Sequence, residues 1–327
     1  MIDLTNRISQ IGIVPVVKIL NKEDAFPLAK ALYEGGIDVA EITFRSAYAT
    51  DAIATIHKEL PDMLVGAGTV LTIDQAKEAV EAGASFIITP GFNKAVVAWC
   101  IEHDVVVYPG VSTASEIEEA LSYGLHTLKF FPAESSGGAK KLKDFAAPYP
   151  DITFLPTGGI NESNLHDYLS LPNVLAVGGS FMLPNEFVST KNWDAIRTLC
   201  KKAIKTMLGF SLIHIGINSD NIQEAQHTAD TLCQLFDFHP YQKPKSKFAG
   251  KGFEILHGLG KGSHGHIGIY TNYVMRAMYQ LQKKGVRFDE STITRNKQTN
   301  LINFVYLDME LSGFGIHLIH PDVDMEV

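Results

Sequence analysis

The chain has 327 residues, which is long enough for one large domain or two ordinary ones. Hydrophobic residues make up 46% of the chain and charged residues 20%, a composition that is ordinary for a soluble globular protein. The formal net charge of −8 at pH 7 disfavours a polyanion-binding surface, so we do not expect a nucleic-acid partner.

The start of the chain and its cysteines favour a cytoplasmic protein. Residues 1–10 contain no apolar signal core. The longest apolar runs, such as Ile11–Ile19, are interrupted by polar residues or proline and are too short to span a bilayer. Three widely spaced cysteines form neither a metal motif nor a disulfide framework, as expected in a reducing cytosol: Cys100, Cys200 and Cys233. We therefore expect no membrane partner.

Buried strands alternate with helices from the start of the chain to about Leu208. The strands are near-continuous apolar runs, which is typical of parallel strands covered on both faces. The predicted strands are Gly12–Lys18, Val39–Phe44, Met63–Ala67, Phe86–Thr89, Val105–Tyr108, Thr127–Phe131, Ile152–Pro156 and Val174–Val177. The predicted helices include Glu23–Glu34, Thr50–Glu59, Ile73–Ala82, Ala95–Glu102 and Ala114–Ser122, with glycines near three helix ends at Gly35, Gly83 and Gly124.

This alternation predicts an α/β fold, a closed (β/α)8 TIM barrel, over residues 1–208. A helix at Trp193–Met207 would complete the barrel. An open, doubly wound sheet is the alternative that the pattern alone leaves.

Lys129 is the most informative residue of this region. It lies in the apolar strand Thr127–Phe131 and shares one strand face with Thr127 and Phe131. A buried ammonium ion must pair, lose its proton or react. Desolvation lowers the pKa of a lysine, and the neutral amine is the nucleophile that forms a Schiff base with a carbonyl group. The alternative is a lysine whose stem covers apolar surface while its ammonium group reaches water.

A carboxylate and a cation share one face of the second predicted strand. Glu41, Thr43 and Arg45 alternate with apolar residues there. Glu41 near a reactive lysine is a candidate general acid/base, although a structural ion pair with Arg45 is the alternative.

Glycine-rich loops follow the seventh and eighth predicted strands. Residues 156–160 read Pro-Thr-Gly-Gly-Ile, and residues 178–180 read Gly-Gly-Ser. In a TIM barrel, the loops after strands seven and eight are the usual phosphate site, where backbone N–H groups bind the dianion. Two tight turns without a ligand are the alternative.

The first 207 residues resemble the class I KDPG/KHG aldolases, which are 2-keto-3-deoxy-6-phosphogluconate and 4-hydroxy-2-oxoglutarate aldolases. The motifs that carry this resemblance follow one another in order: Glu41-Ile42-Thr43-Phe44-Arg45, Gly66-Ala67-Gly68-Thr69-Val70, Thr89-Pro90-Gly91, Phe130-Phe131-Pro132-Ala133-Glu134 and Pro156-Thr157-Gly158-Gly159-Ile160. The resemblance implies a homotrimeric enzyme that cleaves KDPG to pyruvate and glyceraldehyde 3-phosphate, and hydroxyoxoglutarate to pyruvate and glyoxylate. It implies no cofactor for this step.

The resemblance also implies a role for each matching residue. Lys129 would form the Schiff base and Glu41 would be the general acid/base. Arg45 and Thr69 would hold the pyruvate carboxylate, with Pro90 and Phe131 shaping the pocket. The phosphate end of the substrate would be held by Thr157, Gly158, Gly159, Gly179 and Ser180.

An internal repeat begins after Gly209. The motif His-Ile-Gly-Ile occurs at residues 214–217 and again at 266–269. Each copy precedes a predicted helix, Ile222–Phe236 after the first and Val274–Lys284 after the second. Short strands follow each helix, including Phe253–His257, Asn303–Asp308 and Gly315–Ile319. This pattern predicts a second, smaller α+β domain at residues 209–327, built from two βαβββ units.

The second domain resembles the glyoxalase/bleomycin-resistance group, also called vicinal oxygen chelate proteins. The resemblance rests on residues 211–216, 265–268 and 313–318. It implies a divalent metal site on four strands, with the candidate ligands His214, Glu254, His266 and His317. His257, His264 and His320 lie close by in the sequence and compete for these positions.

Other functions remain open at this point. A phosphate-binding barrel isomerase or epimerase needs acid/base groups but no reactive lysine. Within the aldolases, a substrate with the opposite configuration at C4 is a further alternative. The second domain is an accessory module whose role the sequence does not define: a metal centre, or a ligand-binding or oligomerisation module without chemistry of its own.

Overall fold

The computed structural model describes residues 4–320 and divides the chain into two units, Met1–Thr206 and Met207–Val327. Parallel strands and helices alternate through the first unit, as predicted. Its strands are β1 (Ile13–Val17), β2 (Val39–Thr43), β3 (Leu64–Gly68), β4 (Ile87–Ile88), β5 (Val107–Tyr108), β6 (Gly110–Val111), β7 (Thr127–Phe130), β8 (Thr153–Pro156) and β9 (Val177–Gly179).

The helices of the first unit are α1 (Leu4–Ile11), α2 (Ala25–Glu34), α3 (Ala49–Glu59), α4 (Ile73–Glu81), α5 (Lys94–Glu102), α6 (Ala114–Ser122), α7 (Gly138–Phe145), α8 (Leu165–Leu169), α9 (Asn185–Ser189) and α10 (Trp193–Leu208). Several helices begin with a side chain that accepts a free backbone N–H. Thr113 and Glu116 form a reciprocal capping box at α6, and the Thr72 hydroxyl oxygen accepts the Gln75 backbone N–H at the start of α4.

Two parallel sheets make up the strand layer of the first unit. One sheet has the order β5-β4-β3-β2-β1-β9, and the other has the order β6-β7-β8. Only Pro109 separates β5 from β6 along the chain. Isolated parallel bridges, Phe154 with Val174 and Thr157 with Gly178, join the β8 region to the β9 region. The predicted class, a parallel α/β unit, is confirmed.

The strands are buried on both faces, which explains their apolar sequences. All five residues of β2 are buried, including Glu41 and Thr43. Because the strands are parallel, their carboxyl ends lie at one edge of the sheet, and residues that end different strands are brought together there.

The second unit is built around one sheet of eight strands. Its elements in chain order are β10 (Ser211–Ile217), α11 (Ile222–Phe236), β11 (Pro240–Lys243), β12 (Ser246–Ala249), β13 (Phe253–Leu256), β14 (Gly265–Tyr270), α12 (Val274–Gln282), β15 (Phe288–Arg295), β16 (Ile302–Leu311) and β17 (Phe314–Ile319). Each half therefore has the order strand, helix and three strands. The second domain was predicted to be a smaller α+β unit, and the structure shows a separate unit that is mostly sheet.

The strand order of this sheet reflects the sequence repeat. The order is β11-β12-β13-β10-β14-β17-β16-β15, with β10 and β14 paired antiparallel at the centre. Each central strand has a parallel partner on its outer side, β13 for β10 and β17 for β14. Helix α11 packs Ala225 and Ala229 against Ile255 to form a core beside the first half.

The cysteines are distributed over both units. Cys100 and Cys200 are buried in the first unit, whereas Cys233 lies half-buried on α11 of the second. Burial raises the pKa of the Cys100 thiol to about 11 and that of the Cys200 thiol to about 12. Over residues 4–320, no helix is long and apolar enough to cross a membrane.

Candidate active site

Lys129 and Glu41 form a buried pair inside the first unit. Lys129 lies on β7 and Glu41 on β2, and the Lys129 Nζ atom is 3.0 Å from Glu41 Oε1 and 3.3 Å from Oε2. Glu41 is 0% exposed and Lys129 is 4% exposed. The lysine therefore pairs instead of reaching water, and its partner is the predicted carboxylate.

Neighbouring groups fill the space around this pair. The Phe131 ring centroid lies 5.2 Å from the Lys129 Nζ atom. Gly68, the last residue of β3, leaves room for the carboxylate, since a Cβ atom there would lie 2.1 Å from Glu41 Oε1. Thr43 is also buried, but its hydroxyl donates to the Val17 carbonyl oxygen, so it is occupied by the backbone.

The three remaining residues predicted for the pyruvate end follow the carboxyl ends of their strands. Arg45 follows β2 and is exposed, Thr69 follows β3 with φ 57°, and Pro90 follows β4 and is half-buried. Over residues 4–320, no hydrogen bond or ion pair joins Arg45 or Thr69 to the Lys129–Glu41 pair. A cavity of ≈ 450 Å³ opens beside Pro90, lined by Val70, Leu71 and residues 89–94.

The two predicted glycine loops lie side by side. The bridge between Thr157 and Gly178 brings the loop after β8 next to the end of β9. Gly158 and Gly159 have φ values of 106° and 82°, and residues that carry a side chain rarely adopt such values. Thr157 is buried and Ser180 is exposed. The five predicted phosphate-end residues are therefore neighbours in the fold.

Tyr168 and Glu134 form a contact beside these loops that sequence reasoning missed. The Tyr168 hydroxyl group donates a hydrogen bond to Glu134 Oε1, and burial together with this bond raises the pKa of Tyr168. A Cβ atom on Gly159 would lie 2.5 Å from Glu134 Cγ. Glu134 belongs to a motif that was noted, but no sequence pattern connects it with Tyr168.

A second polar cluster lies in the second unit. His214 on β10, His266 on β14 and His317 on β17 are buried, and one nitrogen atom from each lies within 4.8 Å of the others. The His214 Nε2 atom is 3.0 Å from that of His266 and 3.2 Å from that of His317. Glu254 Oε2 lies 3.4 Å from the Nε2 atom of His214 and 3.3 Å from that of His266.

The repeated glycines explain how these imidazoles fit together. In the sheet, Gly216 pairs with His266 and Gly268 pairs with both His214 and His317. A Cβ atom on Gly216 would lie 2.1 Å from His266 Cε1, and one on Gly268 would lie 2.8 Å from His214 Cε1. The glycine in each copy of the His-Ile-Gly-Ile motif therefore makes room for the histidine of the other copy.

Burial favours the neutral form of two histidines of this cluster, and hydrogen bonds favour the ionised form of its carboxylate. Burial lowers the pKa of His214 to about 4 and that of His317 to about 3. Burial acts to raise the pKa of Glu254, but hydrogen bonds with His266 and Ser246 outweigh it and lower that pKa to about 2. Neutral imidazoles and an ionised carboxylate are the forms that bind a divalent cation.

The three competing histidines are engaged elsewhere. His257 Nε2 contacts Gln242 at 3.2 Å, His264 Nδ1 contacts the Ser312 carbonyl oxygen at 3.1 Å, and His320 stacks near Tyr270. The four candidates from the resemblance are therefore the residues that the fold brings together.

A parallel α/β unit that buries a lysine–carboxylate pair beside glycine loops has the features of a Schiff-base lyase. Comparison with known proteins specifies the family. The family model described as KDPG and KHG aldolase matches residues 4–199. The chain belongs to this family.

Individual relatives agree with the family match. The 2-dehydro-3-deoxy-phosphogluconate aldolase of Treponema pallidum is 44% identical over 205 residues, which is 63% of this chain and 98% of the relative. The KHG/KDPG aldolase of Escherichia coli strain K12 is 44% identical over 193 residues, covering 59% of this chain and 91% of the relative.

Solved structures show the same likeness. The KDPG aldolase of Legionella pneumophila, whose crystal structure holds pyruvate as a covalent carbinolamine intermediate, matches with a TM-score of 0.59 and 40% identity, covering 61% of this chain and 97% of that one. The KDPG aldolase of Zymomonas mobilis ATCC 29191 matches with a TM-score of 0.57 and 37% identity, covering 61% and 95%.

Proposed function

We propose that the first unit is a class I aldolase that cleaves 2-keto-3-deoxy-6-phosphogluconate to pyruvate and glyceraldehyde 3-phosphate. The observation that carries this proposal is the buried contact of 3.0 Å between Lys129 Nζ and Glu41 Oε1. It places a nucleophile and a proton carrier within hydrogen-bonding distance of each other. The names of the relatives and the carbinolamine of the Legionella enzyme support the same chemistry.

In the first steps, the Lys129 amine attacks the C2 ketone of the substrate. Glu41 accepts the proton that the ammonium group must lose and returns it to the hydroxyl group of the carbinolamine, which leaves as water to give a protonated imine and an ionised Glu41. This imine is an electron sink. The electrons of the C3–C4 bond move to the imine nitrogen when that bond breaks, while Glu41 accepts the proton of the C4 hydroxyl group, directly or through a water molecule.

The last steps release the two products. The aldehyde leaves first, and the remaining enamine takes a proton at C3 from the Glu41 carboxyl group. Hydrolysis of the imine then frees pyruvate and the Lys129 amine. No metal takes part in this scheme, because the protonated imine already stabilises the carbanion.

The other residues of the first unit bind the two ends of the substrate. Arg45 and Thr69 hold the pyruvate carboxylate, and Pro90 and Phe131 shape the pocket. The phosphate group lies on the glycine loops, whose backbone N–H groups suit a dianion. This phosphate subsite is made of Thr157, Gly158, Gly159, Gly179 and Ser180. The contact between Thr157 and Gly178 supports it by bringing both loops together.

The same unit is proposed to cleave 4-hydroxy-2-oxoglutarate to pyruvate and glyoxylate, because the Schiff-base chemistry does not require a phosphate. An aldolase for the C4 epimer of KDPG uses the same residues, and steady-state kinetics on the three substrates distinguishes these activities. A barrel isomerase would need no reactive lysine, so the buried Lys129 disfavours it.

Borohydride trapping tests the aldolase. Reduction in the presence of pyruvate should add a pyruvate-derived mass to Lys129, located by peptide mass spectrometry. Lys18→Met is the matched control and should trap normally, because Lys18 is exposed after the end of β1. An adduct on Lys18, or no adduct at all, would contradict the proposal.

The architecture proposed for this unit is a closed (β/α)8 barrel, in a homotrimeric cytoplasmic enzyme. The short gap between β5 and β6 and the bridges between the β8 and β9 regions support closure of the barrel. We place the domain boundary after Leu208, the last residue of α10, which two residues separate from the start of β10. Light scattering of the purified protein measures the oligomeric state.

For the second unit, we propose a vicinal oxygen chelate type of domain with two βαβββ units and a divalent metal site. His214, Glu254, His266 and His317 would hold the ion, which would supply a Lewis acid. This donor set is supported by the contacts of Glu254 Oε2 with the Nε2 atoms of His214 and His266, and by the contact of His317 Nε2 with His214 Nε2. Within residues 4–320, the Nδ1 atoms of the three histidines are buried without a hydrogen-bond partner.

Metal analysis tests this site. The full chain should bind one Zn²⁺ ion, and His214→Ala should abolish the binding. His257→Ala is the control and should keep it, because His257 contacts Gln242 instead of the cluster. Equal metal content in all three proteins would contradict the site and favour a ligand-binding or oligomerisation module without a metal.

A further inference from the structure

Backbone hydrogen bonds connect the glycine loop after β8 to the segment after β7. The Ala133 N–H donates to the Thr157 carbonyl oxygen at 2.8 Å, and the Glu134 N–H donates to the Gly158 carbonyl oxygen at 3.1 Å. In a trans peptide, the N–H of the following residue points opposite to the carbonyl group. The Gly159 N–H therefore points away from the segment after β7, and no protein group among the residues that the structure describes accepts it.

Two side-chain amides hold the next peptide of the loop. Asn161 Nδ2 and Asn164 Nδ2 each donate to the Gly159 carbonyl oxygen at 3.2 Å. By the same geometry, these bonds fix the direction of the Ile160 N–H. The loop thus holds two successive N–H groups in fixed directions, and donors that are already ordered bind an oxyanion without a cost of reorganisation.

The Glu134 side chain lies against Gly159. A Cβ atom on Gly159 would lie 2.5 Å from Glu134 Cγ and 2.8 Å from Glu134 Cβ. Glycine has the greatest backbone freedom of all residues, and Gly158 and Gly159 are adjacent. The contact with Glu134 therefore restricts a loop whose own sequence allows many conformations.

Tyr168 fixes the far end of the Glu134 side chain. The Tyr168 hydroxyl group on α8 donates to Glu134 Oε1, and Tyr168 is 0% exposed. Glu134 is exposed, so this bond ties a carboxylate at the surface to a buried residue. Without the bond, the Glu134 stem could leave Gly159, and the carboxylate could approach a phosphate dianion on the loop and repel it.

We propose that Glu134 and Tyr168 are positioning residues, which hold the glycine loop after β8 in the conformation that binds the phosphate group of the substrate. Both act through Gly159 and not on the reacting atoms. This inference rests on the phosphate subsite proposed above. It predicts an effect on the phosphorylated substrate alone, because hydroxyoxoglutarate places no phosphate group on the loop.

Tyr168→Phe removes only the hydroxyl group and tests this inference in the full chain. We expect KM for KDPG to rise by about 3- to 10-fold, the effect of losing one hydrogen bond to a charged group. The kcat for KDPG and both constants for hydroxyoxoglutarate should stay near those of the parent. Tyr149→Phe is the matched control, because Tyr149 donates to Glu118 Oε1 at 3.0 Å and precedes β8, whereas the glycine loop follows it.

Two changes at Glu134 separate its position from its charge. Glu134→Gln keeps the stem and an oxygen that accepts the Tyr168 bond, so KM for KDPG should stay at the parent value or fall. Glu134→Ala removes both, and its KM for KDPG should rise as in Tyr168→Phe. Glu134 is exposed, so the alanine variant carries the same test if Tyr168→Phe does not fold by circular dichroism.

The substrate comparison decides the outcome. An unchanged KM for KDPG in folded Tyr168→Phe and Glu134→Ala would overturn this inference, and so would equal losses on both substrates, which indicate a structural role only. Neither result would affect the aldolase itself, which the KDPG turnover and pyruvate trapping of the parent protein test separately. A parent that cleaves hydroxyoxoglutarate but has no affinity for KDPG would overturn the phosphate subsite and this inference together.

Discussion

A Cβ atom on Gly68 would lie 2.1 Å from the Oε1 atom of Glu41, so the Glu41 carboxylate fits only beside a residue that has no side chain. Gly68 is not among the glycines with positive φ, and its backbone conformation is open to other residues. The carboxyl end of β3 thus leaves the volume that the Glu41 side chain occupies beside Lys129.

Gly68→Ala should therefore displace the Glu41 carboxylate without straining the backbone. We expect kcat for KDPG cleavage to fall by about 10- to 100-fold, the effect of misplacing a catalytic group by about 1 Å. Gly258→Ala, in the second unit, is the control, because a Cβ atom there meets nothing within 4 Å. Similar kcat values for the two variants would contradict the proposed role of Glu41.

Glu41→Gln removes the proton carrier but preserves the size and polarity of the side chain. We expect kcat to fall by about 10²–10⁴, the usual contribution of general acid/base catalysis, while pyruvate still forms a reducible imine with Lys129. Single-turnover kinetics and borohydride trapping on the same variant separate the two steps. A kcat near that of the parent would indicate that Glu41 is a structural ion-pair partner and not the general acid/base.

Gly179→Val tests the phosphate subsite. The new side chain would press on Phe181, whose Cδ1 atom lies 2.9 Å from a Cβ atom at this position. We expect KM for KDPG to rise by about 10- to 100-fold, the cost of a charge-assisted hydrogen bond. KM for unphosphorylated hydroxyoxoglutarate should change less. Equal increases on both substrates would indicate general damage to the unit.

The aldolase should not need the second unit for its chemistry. The Treponema relative aligns over 98% of its own length with 205 residues of this chain, so a family member can consist of this part alone. Truncation after Leu208 should leave a folded protein with measurable KDPG turnover, checked by circular dichroism and a coupled pyruvate assay. A folded but inactive product would show that residues 209–327 take part in catalysis.

Gly216→Ala tests the explanation given for the repeated glycines. A Cβ atom at this position would lie 2.1 Å from His266 Cε1, so the ring must move. We expect Zn²⁺ affinity to fall by about tenfold or more, as for other changes that disturb the orientation of a ligand. Gly252→Ala is the control, since a Cβ atom there meets nothing within 4 Å. Equal affinities would mean that His266 is not a ligand.

Apolar runs predicted most strands of the first unit because their residues are buried on both faces. The last strand shows the limit of this signal. Residues 174–177 were predicted, whereas the paired strand is Val177–Gly179, because glycines carry no hydrophobic signal although their backbone groups pair well. Gly35 was predicted to lie near a helix end, and it does follow Glu34, the last residue of α2; the positive φ falls on Gly36, and Gly35 makes room for Cys200.

The candidate sites were predictable where one short motif carried the chemistry. Lys129 and Glu41 each stand out from an apolar strand, so their burial could be foreseen. The contact between Ser246 and Glu254 could not be found in this way, because it depends on the pairing of β12 with β13. The bond between Tyr168 and Glu134 joins residues 34 positions apart and likewise depends on the complete fold.

The burial of two of the three cysteines has a practical consequence for experiments on this chain. A thiolate is the form that reacts with alkylating reagents, and Cys100 and Cys200 are both buried and hard to ionise. Reagents in neutral solution therefore reach Cys233 first. A maleimide dye would label the native chain selectively on α11, and its fluorescence would report on the second unit while the first turns over unlabelled.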